Sequence, residues 1–262
     1  MQNFLKIADA VREASQTAKM KQKEVGRSYK EDGSVVTEVD IQTDRFLSKV
    51  ISDEFPEANV VSEEFPSDFV AGRELTFAVD PIDGTDSYSQ GMPAWCVAVG
   101  ILDSTLEPIG GIIAAPRWGA DTEKGIFISD LPGEELYTEG IPKLPRGNII
   151  PEGSQLMIGS KVHRRYDFST YPGKIRNFGS TVLHAISPLV HSMVEGALIP
   201  RCYIWDIAAA HSIIRRFGLD LEYLNGSPIR YETMVHRQLS EHYIICGSTK
   251  SIENIKNHID SP

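Results

Sequence analysis

Asp80-Pro81-Ile82-Asp83-Gly84-Thr85 is the most informative stretch of the sequence, and it follows directly on the apolar run 76–79. A buried strand therefore delivers two carboxylates into a tight turn. Proline restricts the residue before it to extended backbone, and glycine allows backbone angles that are closed to other residues. One turn then offers the Asp80 and Asp83 carboxylates, the Ile82 carbonyl and the amide groups beside them. Hard divalent cations such as Mg²⁺ prefer that oxygen set, completed by water and phosphate.

Two further acidic sites lie at the ends of apolar elements. Glu63 and Glu64 follow a predicted strand over 59–62, and Asp206 lies near the start of a predicted apolar helix over 204–217. The helix dipole also favours a carboxylate near a helix start, so Asp206 alone is equally well explained as a helix cap. Three acidic sites, each at the end of an apolar element, together indicate a metal site.

Helical and strand patterns alternate along the chain, which predicts a layered protein of the mixed α/β class. The predicted helices cover 3–24, 37–55, 180–195 and 204–217, and a last helix is capped by Ser248 or Thr249. The predicted strands cover 59–62, 75–79, 94–102, 108–115, 125–129, 155–159, 219–223 and 243–247. The polar segment 26–35 is expected to be a loop.

A segment rich in Pro, Gly and Glu over 130–153 marks the best candidate boundary. It predicts an N-terminal half, residues 1–150, that carries Glu63 and the acidic turn. The C-terminal half, residues 151–262, would carry Asp206 and the substrate contacts.

Composition sets further bounds on function. The chain has 262 residues, of which 41% are hydrophobic and 24% charged, so a disordered chain, a collagen or a coiled coil is excluded. Its net charge of −10 disfavours nucleic acid or an anionic membrane as a bulk ligand, although metal ions would allow phosphate to bind. Three widely spaced cysteines and the absence of a signal-peptide pattern predict buried thiols and a cytoplasmic protein.

The acidic turn resembles the signature of the inositol monophosphatase superfamily, and Trp205-Asp206-Ile207-Ala208-Ala209 resembles its second signature. The order of the parts is also similar: an aspartate on an early helix, Glu-Glu after a strand, the acidic turn, Gly179-Ser180, and Trp-Asp. This resemblance covers nearly the whole chain. It implies a layered α-β-α-β-α sandwich of the inositol monophosphatase and fructose-1,6-bisphosphatase type. It also implies a Mg²⁺-dependent, lithium-sensitive phosphomonoesterase that forms a homodimer.

The resemblance implies a role for each matching residue. The ligands of two to three Mg²⁺ ions would be Glu63, Asp80, the Ile82 carbonyl, Asp83 and Asp206. Asp40 would pair with Thr85 to orient or deprotonate the attacking water, and Glu63 would take part through its metal. Besides Asp83 and Asp206, the residues that bind the phosphate and the rest of the substrate would be Gly84, Thr85, Gly179, Ser180 and Thr181. Arg201 is a further candidate for substrate binding from its position alone.

Two positions that bear on the substrate, Ile199 and Asp86, depart from the family pattern. Ile199 stands where inositol-specific members carry a glutamate that binds inositol hydroxyls. Arg201 lies nearby and would suit a second anionic group, or it is a surface arginine. Asp86 stands where nucleotide-specific members carry a lysine, which disfavours a nucleotide bisphosphate.

The expected substrate is a small phosphorylated metabolite, with inositol 1-phosphate first. The alternatives are fructose 1,6-bisphosphate, histidinol phosphate and a nucleotide 3′-phosphate. Lys161 and His163 follow a predicted strand end on the expected substrate side and are further candidates for contact. A protein-interaction module on the same fold is the non-enzymatic alternative, because some family members bind transcription machinery.

Overall fold

The computed structural model describes residues 2–141 and 153–259. The helices are α1 (Gln2–Lys21), α2 (Glu38–Glu54), α3 (Thr85–Ser89), α4 (Thr181–Val190), α5 (Ala208–Arg215) and α6 (Thr249–Lys256). Short 3-10 turns cover Gln22–Glu24, Val162–Arg164 and Met234–His236. Among the described residues, none of the helices combines the length and the apolar character that crossing a bilayer requires.

A six-stranded sheet forms the core of the N-terminal part. In spatial order its strands are β3 (Asn59–Ser62), β4 (Leu75–Asp83), β5 (Cys96–Asp103), β6 (Pro108–Ala115), β7 (Ile126–Asp130) and β8 (Tyr137–Glu139). β3 pairs parallel with β4, and the remaining pairs are antiparallel. Side chains alternate between the two faces of the sheet. Phe77 and Val79 pack on the side of α1 and α2, whereas Ala78 packs on the side of α4 and α5.

A five-stranded sheet forms the core of the C-terminal part. In spatial order its strands are β10 (Lys174–Arg176), β9 (Gln155–Ile158), β11 (Val194–Ile199), β13 (Ile244–Gly247) and β12 (Asp220–Tyr223). Helices α4 and α5 lie between the two sheets, and α6 covers the outer face of the second sheet. The layers are therefore helix, sheet, helix, sheet, helix, which confirms the predicted sandwich. A small hairpin, β1 (Ser28–Tyr29) and β2 (Val35–Val36), stands apart from both sheets.

Helix α5 approaches the first sheet closely because glycines face it. A Cβ atom on Gly111 would lie 2.3 Å from the Ala209 carbonyl oxygen, and one on Gly100 would lie 2.5 Å from the Ala208 Cβ. Both glycines belong to the β5–β6 hairpin. The sheet surface therefore sets the depth of α5, and with it the position of Asp206 just before that helix.

The structure corrects the predicted helix over 180–195 and the predicted loop over 26–35. The helix predicted over 180–195 ends at Val190, and the chain then forms strand β11, which pairs with β9 and β13. Pro188 removes one backbone donor near the end of α4, and β11 is buried on both faces, so its sequence lacks polar alternation. The segment predicted as a loop over 26–35 contains the β1–β2 hairpin.

Other local predictions are confirmed. The hairpin formed by β5 and β6 is present, and the Ser248 hydroxyl caps α6 by accepting the Ser251 amide at 3.1 Å. All three cysteines are buried free thiols. The predicted boundary between residues 150 and 151 lies within 142–152, outside the described residues, so the two-part division stays a prediction.

Candidate metal centre

Three carboxylates converge at the end of β4. Asp80, Asp83 and Asp206 each place one oxygen within 4.8 Å of the other two. Residues three apart on a regular strand point to opposite faces, but the pairing of β4 with β5 shifts register between Asp80 and Asp83. Such a bulge turns side chains to new directions, so both aspartates reach one side. Asp206 arrives from the second half of the chain.

Asp80 is the least satisfied member of this cluster. Its side chain is 1% exposed, and its Oδ1 has no hydrogen-bond partner among the described residues. Burial, followed by the charges of Glu63 and Asp83, raises the pKa of Asp80 well above its ordinary value. A buried carboxylate without a donor is costly unless a cation binds it. This orphaned oxygen, set among other carboxylate oxygens, fits a hard divalent metal ion.

Asp83 serves helix α4 as well as the cluster. Its Oδ2 accepts the Val182 amide at 2.9 Å and the Ser180 hydroxyl, and its Oδ1 accepts the Thr181 amide at 3.2 Å. Burial raises the pKa of Asp83 to about 6, although these donors oppose the shift. The carboxylate therefore stabilises the start of α4 while one oxygen keeps only a single long contact. Ser180 is 1% exposed and its hydroxyl donates to Asp83, so its predicted contact with the substrate stays a prediction.

Asp206 is half-buried and folds back on its own chain. Its Oδ2 accepts the Tyr203 amide at 2.6 Å. Burial, followed by the charge of Asp83, raises the pKa of Asp206 well above its ordinary value. The predicted helix over 204–217 begins later, at Ala208, so Asp206 lies two residues before the helix and its side chain remains available to the cluster.

Asp40 and Thr85 meet beside the cluster, as the resemblance implied. The Thr85 hydroxyl lies 2.8 Å from Asp40 Oδ1 and 2.9 Å from the Ile82 carbonyl oxygen. A hydroxyl has one hydrogen, so it serves one of these acceptors at a time. Asp40 also accepts the Thr37 amide at 2.9 Å in a capping box that starts α2. Burial raises the pKa of Asp40 to about 6, against the donors from Thr37 and Thr85.

Gly84 shapes the turn between Asp83 and Thr85. Its φ of +89° lies in the left-handed region that glycine adopts freely. An added Cβ would lie 3.1 Å from the Ala94 carbonyl oxygen and 3.2 Å from that of Gly179. Gly179, the first residue of the predicted substrate segment, therefore lies against the turn, and Thr181 follows at the start of α4.

Glu63 and Glu64 are held by Lys30, a residue to which no sequence pattern points. The Lys30 ammonium lies 2.8 Å from Glu63 Oε1 and 2.7 Å from Glu64 Oε1. Lys30 lies in the turn of the β1–β2 hairpin, and nothing in its local sequence distinguishes it from a surface lysine. Burial would lower the pKa of Lys30, but the Glu63 and Glu64 carboxylates outweigh that effect and raise it. Glu63 thus faces a cation from the chain itself.

Arg201, Lys161 and His163 are exposed and lie outside the carboxylate cluster. Arg201 Nε donates to the Ser240 carbonyl oxygen at 2.6 Å. A Cβ on Gly159 would lie 2.2 Å from Pro200 Cδ, so the chains that leave β9 and β11 run side by side. Lys161 and Arg201 follow these two strands and therefore belong to the same end of the second sheet.

Comparison with known proteins places this geometry in a family. The sequence model of the inositol monophosphatase family matches residues 1–259. The chain belongs to the inositol monophosphatase family. Members are Mg²⁺-dependent phosphatases, so this inositol monophosphatase family protein is a phosphoric monoester hydrolase. The family predicted from the two signatures is thereby confirmed.

Similar proteins in the family carry different names. A 3′(2′),5′-bisphosphate nucleotidase CysQ from Buchnera aphidicola is 27% identical, over 80% of this chain and 79% of its own. A histidinol-phosphatase from Mycobacterium tuberculosis is 25% identical, over 75% and 77%. A fructose-1,6-bisphosphatase/inositol-1-monophosphatase from Aquifex aeolicus is 25% identical, over 70% of each chain. Membership therefore sets the reaction class and leaves the substrate open.

Solved structures support the fold. The IMPase of Thermotoga maritima superimposes with a TM-score of 0.77, covering 98% of each chain at 20% identity. At that identity the likeness concerns the architecture of this inositol monophosphatase family protein rather than its substrate.

Proposed function

We propose that this protein hydrolyses a small phosphate monoester of the inositol 1-phosphate type and uses two to three Mg²⁺ ions. The proposed ligands are Glu63, Asp80, the Ile82 carbonyl, Asp83 and Asp206. The observation that carries the proposal is the unpartnered, buried Asp80 oxygen inside a carboxylate cluster that adjoins the Asp40–Thr85 pair. An acidic cluster built only for stability would not leave that oxygen without a donor.

The chain's own residues divide the work of hydrolysis. Bound Mg²⁺ would stabilise charge on the phosphate and lower the pKa of a coordinated water. The Thr85 hydroxyl donates its hydrogen to Asp40, so its oxygen can take a proton from the attacking water while its own proton passes to the Asp40 carboxylate. The amides of Gly84 and Thr85 would bind the phosphate oxygens. Positioning therefore supplies much of the rate enhancement, and no covalent nucleophile is needed.

A conservative substitution tests the reaction class. Asp80→Asn should abolish Mg²⁺-dependent phosphate release, because the amide is a poor metal ligand. Asp130→Asn is the matched control and should keep its activity. Asp130 is also a buried aspartate of the six-stranded sheet, but its Oδ2 accepts a hydrogen bond from the Ser212 hydroxyl at 2.7 Å. The assay is phosphate release with and without Mg²⁺, and with added lithium, which should inhibit. Retained Mg²⁺-dependent turnover in Asp80→Asn would contradict the proposed site.

A sugar bisphosphate is the second candidate substrate. Ile199 is 0% exposed within β11, so the position of the family's inositol-binding glutamate is an apolar interior position here. Arg201, two residues further on, is exposed and engages the chain through Nε. Its terminal nitrogens would suit a second phosphate, because arginine binds phosphate in bidentate fashion.

Arg201→Ala separates the two candidates. For a bisphosphate substrate we expect KM to rise about tenfold, the effect of losing one charged hydrogen bond. For inositol 1-phosphate we expect an unchanged KM. The panel is inositol 1-phosphate, fructose 1,6-bisphosphate, histidinol phosphate and a nucleotide 3′-phosphate. Turnover of inositol 1-phosphate alone, with no effect of the variant, would remove the second candidate.

The homodimer implied by the resemblance stays a prediction, and so does the cytoplasmic location predicted from the cysteines and the N-terminal sequence. Light scattering of the purified protein over a concentration series would test the homodimer.

A further inference from the structure

The proposed ligands come from two parts of the fold that no short stretch of chain connects. Glu63 lies just beyond the end of β3 in the six-stranded sheet, whereas Asp206 lies between β11 and α5. Any metal shared by these parts requires a fixed separation between them. The separation must be set by contacts that cross from one part to the other.

Arg237 makes such contacts with the turn at residues 62–65, called here the Glu63 turn. Its Nη2 donates to the Glu63 carbonyl oxygen at 2.8 Å, and its Nη1 donates to the carbonyl oxygen of Ser62 and, at 3.4 Å, to that of Phe65. The fixed fork of a guanidinium can serve neighbouring carbonyls in this way. Arg237 therefore fixes the backbone of Glu63, while Lys30 holds its carboxylate.

The same guanidinium also contacts the Asp206 side of the site. Its central carbon lies 5.0 Å from the centre of the Trp205 ring, within the range of a cation–π interaction. The backbone behind it is tied to the same segment, because the Ser240 amide donates to the Cys202 carbonyl oxygen at 2.8 Å. The Ser240 hydroxyl in turn accepts the Cys202 amide at 3.2 Å. Arg237 is therefore anchored to the segment that carries Asp206.

The Glu63 turn has other supports, but they come from its own half of the chain. The Glu63 amide donates to the Val79 carbonyl oxygen at 3.2 Å, and the Glu64 amide donates to Asp44 Oδ2 at 2.9 Å. These bonds fix the turn on β4 and α2. Arg237 adds the link from the turn to the second half.

We propose that Arg237 is a positioning residue that sets the distance between Glu63 and the Asp80–Asp83–Asp206 cluster. The role rests on the proposed use of these residues as Mg²⁺ ligands. Residues that orient ligands from outside typically change metal affinity by about 10- to 100-fold when removed. The expected defect is therefore one of metal binding and not of folding.

Titration calorimetry with Mg²⁺, without substrate, tests this role. We expect Arg237→Ala to weaken Mg²⁺ binding about tenfold. Arg237→Lys should recover only part of that loss, because one ammonium cannot fork between two carbonyls and also stack on Trp205. The matched control is Arg73→Ala: Arg73 also donates to a backbone carbonyl, that of Ala58, at 2.8 Å, but away from the cluster. Cooperative unfolding in EDTA establishes that each variant folds. If Arg237→Ala does not fold, the Mg²⁺ affinity of Arg237→Lys tests the positioning role instead.

Unchanged Mg²⁺ affinity in a folded Arg237 variant would overturn the positioning role, and so would an equal loss in Arg73→Ala. These results can be told apart from a failure of the proposed reaction. If Arg237→Ala binds Mg²⁺ more weakly but the wild type hydrolyses no ester of the panel, the proposed reaction is overturned and the positioning role of Arg237 stands.

Discussion

The buried carboxylate of Asp80 does not stabilise the fold through a hydrogen bond at its Oδ1 to any described residue. Its Oδ1 lacks a partner among the described residues, and its neighbours Glu63 and Asp83 repel it. We expect Asp80→Asn to raise the free energy of unfolding of the metal-free protein by about 1 kcal/mol, as relief of strain at functional sites often does. The new amide hydrogens would meet carboxylate oxygens in place of a like charge. Urea unfolding in EDTA measures the change.

Asp83→Asn provides the contrast within the same cluster. Because Asp83 accepts the Val182 and Thr181 amides, its carboxylate stabilises the start of α4. We expect that variant to lose about 1 kcal/mol, the typical effect of weakening a helix cap. A loss of stability in both variants would show that the fold depends on the Asp80 charge as well.

His184 makes the stability of the protein depend on pH. Its Nε2 accepts the Phe178 amide at 2.8 Å beside the Gly179 turn, and burial lowers the pKa of His184 to about 4 from 6.5. Between pH 6.5 and pH 4, the His184 imidazole is therefore mostly protonated in the unfolded chain and mostly neutral in the folded protein. The stability that the neutral His184 imidazole contributes to the folded protein is fully present above pH 6.5 and is lost as the pH falls from 6.5 towards 4. Each pKa unit corresponds to about 1.4 kcal/mol, so the contribution should fall by about 2 kcal/mol between pH 7 and pH 5.

His184→Gln isolates that effect, because glutamine can accept the same amide and does not titrate. Comparing the unfolding free energies of the variant and the wild type at both pH values cancels the contributions of the carboxylates. The stability of the wild type should fall more than that of the variant towards pH 5. Parallel pH profiles would contradict the assignment of a neutral, buried imidazole.

Among the packed helices and strands, α5 and β6 make the contact that positions Asp206. A methyl group on Gly111 would lie 2.3 Å from the Ala209 carbonyl oxygen, so Gly111→Ala must push α5 away from the sheet. Overpacking of this kind typically costs about 1–3 kcal/mol. We expect the variant to lose that stability and to bind Mg²⁺ more weakly, measured by thermal unfolding and calorimetry.

Gly26→Ala is the matched control, because a Cβ at Gly26 would meet nothing within 4 Å. That variant should keep both its stability and its Mg²⁺ affinity. Wild-type Mg²⁺ affinity in Gly111→Ala would show that Asp206 is placed by contacts other than those of α5.

The sequence predicts elements well where their signals are local. The acidic turn, the β5–β6 hairpin and the Ser248 cap each depend on residues within a few positions of one another. The helix predicted over 180–195 was wrong beyond Val190, because β11 follows α4 after only three residues and is buried on both faces, so no change of period separates helix from strand. Pairing with β9 and β13 decides its conformation, and neither partner is adjacent in sequence.

The same limit applies to the site. Asp40 and Thr85 were predicted as a pair from a resemblance, and the structure places them 2.8 Å apart. Lys30 and Arg237 were missed because their partners near Glu63 lie 33 and 174 residues away along the chain. A lysine in a polar hairpin and an arginine after a short turn have the local sequence of surface residues. Only the folded arrangement shows what they contact.

Part of the net charge of −10 of the whole molecule is concentrated in the carboxylate cluster. Asp80, Asp83 and Asp206 share a site that both halves of the chain must come together to build. Each bound divalent ion adds two positive charges there, so an acidic protein can present a neutral or positive pocket to a phosphate ester. The negative charge on the rest of the protein would still disfavour nucleic acid as a bulk ligand.

A site assembled from both halves also ties metal binding to global stability. The unfolded chain does not hold the three carboxylates together, so Mg²⁺ binds the folded state preferentially. We expect Mg²⁺ to raise the free energy of unfolding, by about 2.7 kcal/mol at a concentration 100 times the dissociation constant. Thermal unfolding over a Mg²⁺ series, with NaCl at matched ionic strength as the control, measures the effect. Asp206→Asn should remove most of it, because that variant lacks the ligand from the second half. An equal rise in NaCl, or an undiminished rise in Asp206→Asn, would mean that the stabilisation comes from screening of surface charge and not from an ion that joins the two halves.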